Sequence, residues 1–282
     1  KIQPFIIYFK IMKIQFIIDN KEYNVDTDNY YDLSITQNFN ENQPNSFNVS
    51  KAKAIPYRIG DFVGDTNQGS SCNFDNLNIT PHCNGTHTEC IGHILNTRDK
   101  ITDNLKDILV PAYLISCEVT VANETEEGYL PELAENDKVI THKTLYELID
   151  NLNLKDKALI IRTMPNSANK LTQDYSKDEN IFFTNSAMEL VYDKQVKHLL
   201  IDQSSIDKAN DKGLLSNHRI FWNVELDSKN KQKNSEHQKT ITEFIYVDDE
   251  IKDGVYLLNL QIAPFGLDAS PSRPILFALT GI

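Results

Sequence analysis

No apolar run in this 282-residue chain reaches the roughly 20 residues that a bilayer-spanning helix requires. The most apolar stretch, Phe5 to Ile18, is broken by Lys10 and Lys13, so no membrane segment is expected. It also lacks a small-residue cleavage site and runs directly into the strand-like Ile14-Gln15-Phe16-Ile17-Ile18, which argues against a secretory signal. Positive charge is scarce: 28 Lys and Arg face 40 Asp and Glu, a formal net charge of -12. Such a surface repels phosphate backbones and anionic bilayers, so neither nucleic acid nor a membrane is an expected partner. The four cysteines, Cys72, Cys83, Cys90 and Cys117, are too few to staple a chain of this length. Two of them sit among histidines, which suits a reducing, cytoplasmic setting. There is no Gly-x-Gly-x-x-Gly, Walker loop or Gly-x-Ser-x-Gly elbow, so dinucleotide, P-loop and serine-hydrolase chemistry have no motif support.

What is present suffices for a core, with 40% hydrophobic and 9% aromatic residues. Ile14 to Ile18 and Glu22 to Val25 flank Asp19-Asn20-Lys21, turn chemistry that predicts a hairpin. Residues 36–50 are rich in Asn, Gln, Ser and Pro and read as a mobile surface loop. Leu145, Leu148, Ile149 and Leu152 recur at helical spacing, with Thr144 and Glu147 in capping-box register, and predict a helix with a core-facing stripe. Ala158-Leu159-Ile160-Ile161 follows as a strand buried on both faces. The pattern repeats in a helix at Ala187 to Tyr192, capped by Thr184 or Asn185, and a strand at His198 to Asp202. Residues 227–239 are almost wholly polar and read as a solvated loop. These features predict an α/β (α+β) fold, a single domain over residues 12–282 with a mixed sheet and β-rich ends. Met12 is a plausible start, so residues 1–11 are expected to be an N-terminal extension.

The segment from Thr80 to His93 concentrates His82, Cys83, His87, Glu89, Cys90 and His93 in fourteen positions, a density that points to a metal. If the backbone is extended, alternate side chains share a face, which places Cys83, His87, Glu89 and His93 together, with Gly85 leaving room. His82 has the opposite parity and needs a bulge to join them. Thiolate, imidazole and carboxylate together suit zinc, with manganese or iron as alternatives. A closed structural zinc site drawn from Cys72, Cys83, Cys90 and His82 or His87 is the rival, though its spacing is uneven.

Gly85-Thr86-His87-x-Glu89-x-x-x-His93 resembles the signature His-x-Gly-Thr-His-x-Asp-x-x-x-His of the cyclase or kynurenine-formamidase-like family of metal-dependent hydrolases. Glu89 stands where that signature has aspartate. Counted without gaps, Cys83 takes the place of the first histidine, and His82 lies one residue earlier as the alternative. Asp32-Leu33-Ser34 and Ser270-Pro271-Ser272-Arg273-Pro274-Ile275 are similar to the family's opening and closing motifs. Ile201-Asp202-x-x-Ser205-x-Asp207 with His218, and the strand Thr240-Ile241-Thr242-Glu243, resemble its central ones.

The resemblance implies a swivelling β/β/α arrangement that assembles as a homodimer or larger homo-oligomer. It implies a divalent transition metal held by Cys83, His87, Glu89, His218 and Glu243, with Glu225 competing for the last place because the loop at 227–239 is long. His93 matches the catalytic histidine, and Asp202, Ser205, Asp207 and Arg273 match residues that support the site or the substrate. The implied activity is hydrolysis of a small-molecule amide, N-formyl or cyclic, by metal-activated water. The alternative is a non-catalytic protein of the same fold with a structural or ligand-binding metal.

Overall fold

Asp19 and Asn20 both adopt positive φ, 48° and 64°, the two-residue turn geometry whose twist matches that of the strands it joins. It connects β1 (Lys13–Ile18) to β2 (Lys21–Asp32), antiparallel with Ile18 opposite Lys21. The computed structural model describes residues 13–176 and 180–281; the expected extension over 1–11, and Met12, lie outside the described residues. Seven further strands complete the main sheet: β3 (His87–Cys90), β4 (Leu109–Glu118), β5 (Ala158–Met164), β6 (His198–Ile201), β7 (Thr240–Glu243), β8 (Gly254–Ile262) and β9 (Ala269–Gly281).

The spatial order is β1-β2-β9-β8-β4-β5-β6-β7-β3, and β3 pairs again with the start of β9. That second pairing closes β9, β8, β4, β5, β6, β7 and β3 into a barrel-like ring. Strands β4 to β7 are parallel, while β3, β8 and β9 run antiparallel to their neighbours. The result is a mixed α+β domain, built as expected on β-rich ends: β8 and β9 belong to the ring, and β1 and β2 extend the sheet outward from β9.

Strand β5 shows why the sheet reads as a continuous apolar run. Ala158 and Ile160 pack with Leu114, Leu200 and Leu258, whereas Leu159 and Ile161 pack outward with residues of the helices. Each such burial contributes roughly 1.5–3 kcal/mol for a Leu or Ile side chain.

Five short helices occur among the described residues: α1 (Pro81–Asn84), α2 (Ile101–Asn104), α3 (His142–Ile149), α4 (Asn185–Asp193) and α5 (Ser216–Trp222). Helix α3 begins one turn earlier than its expected capping pair. Thr141 is the cap, its hydroxyl accepting from the backbone N–H of Thr144 at 3.1 Å. Leu145 and Ile149 are fully buried, but Leu148 is 36% exposed, so the core stripe is narrower than its spacing implied. Thr184 caps α4 through Ala187.

Residues 36–50 are irregular but anchored. Gln43 is buried, accepts from the N–H of Ala52 at 2.7 Å and donates to its carbonyl. Asn84 donates to Asn45 at 2.8 Å, tying the loop to α1. Residues 227–239 are mostly exposed. Among the described residues no helix is long and apolar enough to cross a membrane.

Candidate metal centre

Pro81 occupies the first helical position, where a missing N–H costs nothing, so residues 81–84 wind into a helical turn. The chain becomes a strand only at His87. The expected strand alternation therefore does not include Cys83, which lies in the helical turn. On a helix, adjacent side chains diverge by roughly 100°, and His82, not Cys83, is the one delivered to Glu89, with Nδ1 2.9 Å from Oε2. Cys83 is buried, burial pushes its thiol pKa up, and it belongs to neither ligand group described below.

Strand pairing places the next residues. His87 lies opposite Glu243 across β3 and β7, and Glu89, two residues on, shares its face. Thr86 locks this register, its hydroxyl accepting from the N–H of Ile35 at 2.8 Å and donating to the carbonyl of Phe244. Gly92 lets the following turn pack on residue 99, since a Cβ there would sit 2.0 Å from the Asp99 carbonyl oxygen. His93 closes that turn.

Two groups of side chains share Glu89, each with ligand atoms within 4.8 Å of one another: His82, Glu89 and His93; and Glu89, His218 and Glu243. His218 comes from α5. Its Nε2 lies 2.9 Å from Oε1 of Glu89 and its Nδ1 2.5 Å from Asp207. Asp207 also accepts from the N–H groups of Asn217 and His218 and from the hydroxyl of Tyr129. Glu243 accepts from the N–H of Ile206 at 2.8 Å. Trp222 packs beside His218, ring centroids 5.5 Å apart.

Burying these charges shifts them in linked directions. Burial and the charge of Glu89 push Glu243 up to about 8. Glu89 goes the other way: burial opposes its charge, but His93 and His218 hold it well below its ordinary value. Against the effect of burial, Glu89 and Asp207 hold the pKa of His218 well above normal, and Asp268 and Glu89 raise that of His82 to about 10. Burial, with the neighbouring charge of His82, lowers His87 to about 3.

His87 therefore stays neutral. Its Nδ1–H donates to the carbonyl of Gly85 at 3.0 Å, which leaves the Nε2 lone pair buried without a hydrogen bond, 3.5 Å from Glu243. Oε2 of Glu89 is likewise without one, with His82 beside it as an ion pair at 2.9 Å. Orphaned imidazole and carboxylate atoms at the meeting point of two ligand groups fit a divalent cation. All the donors are nitrogen or carboxylate oxygen, a set suited to zinc, manganese or iron. Neither group includes a cysteine, so the structural cysteine site is not assembled among the described residues.

The other expected site residues divide clearly. Asp207 touches His218 directly, and the Ser205 hydroxyl accepts from the N–H of Asp207 at 3.2 Å. Asp202 is buried away from both groups, taking Lys170 at 2.7 Å and Thr163 through its N–H and hydroxyl. Arg273 projects outward and pairs with Asp32 at 2.7 Å, so the opening and closing motifs clasp each other. Glu225 is exposed and joins neither group. One residue was not anticipated: Asp268, 2.8 Å from Nε2 of His82 and 3.5 Å from Nδ1 of His93. Hydrogen bonds from those two rings hold it well below the usual carboxylate range. Its only sequence signal is its place two residues before Ser270-Pro271.

The family described as "Putative cyclase" matches residues 31–208. Among solved structures, a "predicted metal-dependent hydrolase" from Bacillus stearothermophilus is 18% identical with a TM-score of 0.57, covering 88% of this chain and 98% of its own. Isatin hydrolase A from Ralstonia solanacearum is 13% identical with a TM-score of 0.58, covering 89% and 92%. A structure described as a novel cyclase reaches 0.60 at 14% identity, covering 90% of each chain. At such identities these likenesses establish the fold. No curated protein matches the sequence.

Proposed function

This chain belongs to the cyclase family, and from that membership and the geometry around Glu89 we propose that it is a metal-dependent hydrolase of an amide-type bond, N-formyl or cyclic. The observation that carries the reading is the sharing of Glu89 between two ligand groups, next to an imidazole whose free nitrogen has no hydrogen bond. Glu89, His218 and Glu243 would hold a divalent ion on the buried side, and His82 with His87 would contribute on the other. Such an ion, zinc first, with manganese or iron as alternatives, supplies a Lewis acid for the carbonyl and lowers the pKa of water towards roughly 7. His93 is the proton carrier. Its ring is about a quarter exposed, with Nδ1 3.8 Å from Oε2 of Glu89, placed to take a proton from attacking water and return it to the departing amine. Asp207 fixes the ring of His218, and Trp222 packs beside it, so that histidine holds rather than moves protons. Isatin contains a cyclic amide, so the isatin hydrolases of the same fold support that substrate class.

Chelation followed by reconstitution tests the reading. Circular dichroism is expected to show a folded metal-free chain that does not hydrolyse N-formyl-kynurenine or any of a panel of cyclic amides including isatin, and that regains turnover on adding zinc or manganese. A chain that unfolds on chelation, and turns over none of these compounds when loaded, would instead be a structural metal protein.

A further inference from the structure

We propose that Asp268 is the positioning residue of the open side of this centre, fixing which nitrogen of His82 faces Glu89 and keeping the ring of His93 beside it; the proposal rests on the hydrolase reading above. Three observations carry it. First, the main chain at Asp268 is locked to the site: its carbonyl accepts from the N–H of Cys90 at 3.0 Å, and the next residue, Ala269, lies opposite Glu89 across β3 and β9. The carboxylate is therefore built on strand pairing and not on a free loop. Second, a single oxygen, Oδ2, lies 2.8 Å from Nε2 of His82 and 3.5 Å from Nδ1 of His93. Those two rings stack with centroids 4.2 Å apart and planes 30° apart, and the one carboxylate oxygen bridges a nitrogen of each.

Third, the arrangement repeats across Glu89. Oε1 of Glu89 faces Nε2 of His218, whose Nδ1 is held by Asp207. Oε2 faces Nδ1 of His82, whose Nε2 is held by Asp268. A ligand histidine whose far nitrogen donates to a carboxylate has its tautomer and ring angle set by that carboxylate. With Nε2–H given to Asp268, Nδ1 is the nitrogen of His82 left to face Glu89, and the one whose lone pair a cation beside Glu89 would take. The two aspartates differ in reach. Asp207 is buried and serves one ring, whereas Asp268 has an 18% exposed side chain and touches both the ligand histidine and the proton carrier. Its carboxylate pairs with those two rings, so it acts through His82 and His93.

The test compares Asp268→Ala and Asp268→Asn with the native protein by three readouts: histidine ring ¹⁵N shifts of the metal-free chain, cobalt(II) affinity by absorption, and kcat and KM on N-formyl-kynurenine and cyclic amides. In Asp268→Ala the ring signals of His82 and His93 should move while those of His218 stay. Cobalt affinity should fall roughly 10–100-fold, and kcat should drop with KM little changed. Asp268→Asn keeps a carbonyl acceptor and should recover most of the affinity. Unmoved His82 and His93 signals together with native cobalt affinity in Asp268→Ala would overturn the proposal. Cobalt binding by the native protein without hydrolysis of any probe would remove the hydrolase reading instead, and the ring-nitrogen and affinity comparison would still decide the placement of Asp268.

Discussion

The two sides of Glu89 use the same residue types in different surroundings. On the inner side His218, Glu243 and Asp207 have side chains no more than 5% exposed. On the outer side His82, His93 and Asp268 are 25%, 26% and 18% exposed. In the interior an unpaired charge is costly and a paired one is held firmly, so the inner set is saturated: Asp207 alone takes four donors. The outer set keeps Oε2 of Glu89 without a hydrogen bond and stacks two rings at the surface. Under the proposed hydrolase reading this difference becomes a division of labour, in which the inner side would hold a cation and the outer side would admit water and substrate and move the proton.

The comparison breaks most completely at its pivot. Glu89→Gln should abolish stoichiometric metal binding, measured by elemental analysis, and reduce turnover roughly a thousandfold or more, because the several kcal/mol supplied by a metal disappear from the transition state. Retained metal with native turnover would remove Glu89 from the centre. Next, His93→Ala should keep its metal and lose roughly 10²–10⁴-fold in kcat, the usual contribution of a positioned acid or base; full activity in that variant would assign the proton to another group. A third substitution pair separates neighbouring residues of α1. His82→Ala should weaken zinc affinity roughly 10–100-fold, whereas Cys83→Ser should leave it near native, and the opposite order would restore Cys83 as the ligand.

The smallest expected effect concerns the metal-free chain and pH. Glu243 keeps its proton up to about pH 8 in the folded chain but only to about 4.5 when unfolded. Its contribution to stability is therefore present at low pH and lost as pH climbs through that window, and His218, also raised, acts in the same direction. Urea unfolding of the chelated protein should thus show stability declining from pH 6 to 9. With zinc present the decline should flatten, because metal binding displaces the proton and strengthens as pH rises. Parallel pH profiles with and without zinc would place the ion away from Glu243.

Much of this was legible in the sequence because it depended on local pattern. The run Ala158-Leu159-Ile160-Ile161 has no polar position and became a strand packed on both faces. Thr184 before an amphipathic stretch became a cap. The cluster from His82 to His93 was visible as density alone, and the resemblance brought His218 and Glu243 to it from more than a hundred residues away. What escaped required backbone geometry or closure of the ring. Pro81 turns residues 81–84 helical, which reversed the parity that favoured Cys83. Asp268 meets His82 only because β9 pairs with β3, a contact between the two ends of the sheet that no periodicity reports. Arg273 shows the converse: its motif was plain, but the structure turns it outward to Asp32.

The most direct measurement is anomalous scattering at the zinc edge from crystals grown with zinc. A full-occupancy peak at about 2.1 Å from a carboxylate oxygen of Glu89, within reach of His218 and Glu243, is the predicted result. A protein that binds zinc stoichiometrically in solution but shows no peak beside Glu89 would contradict it.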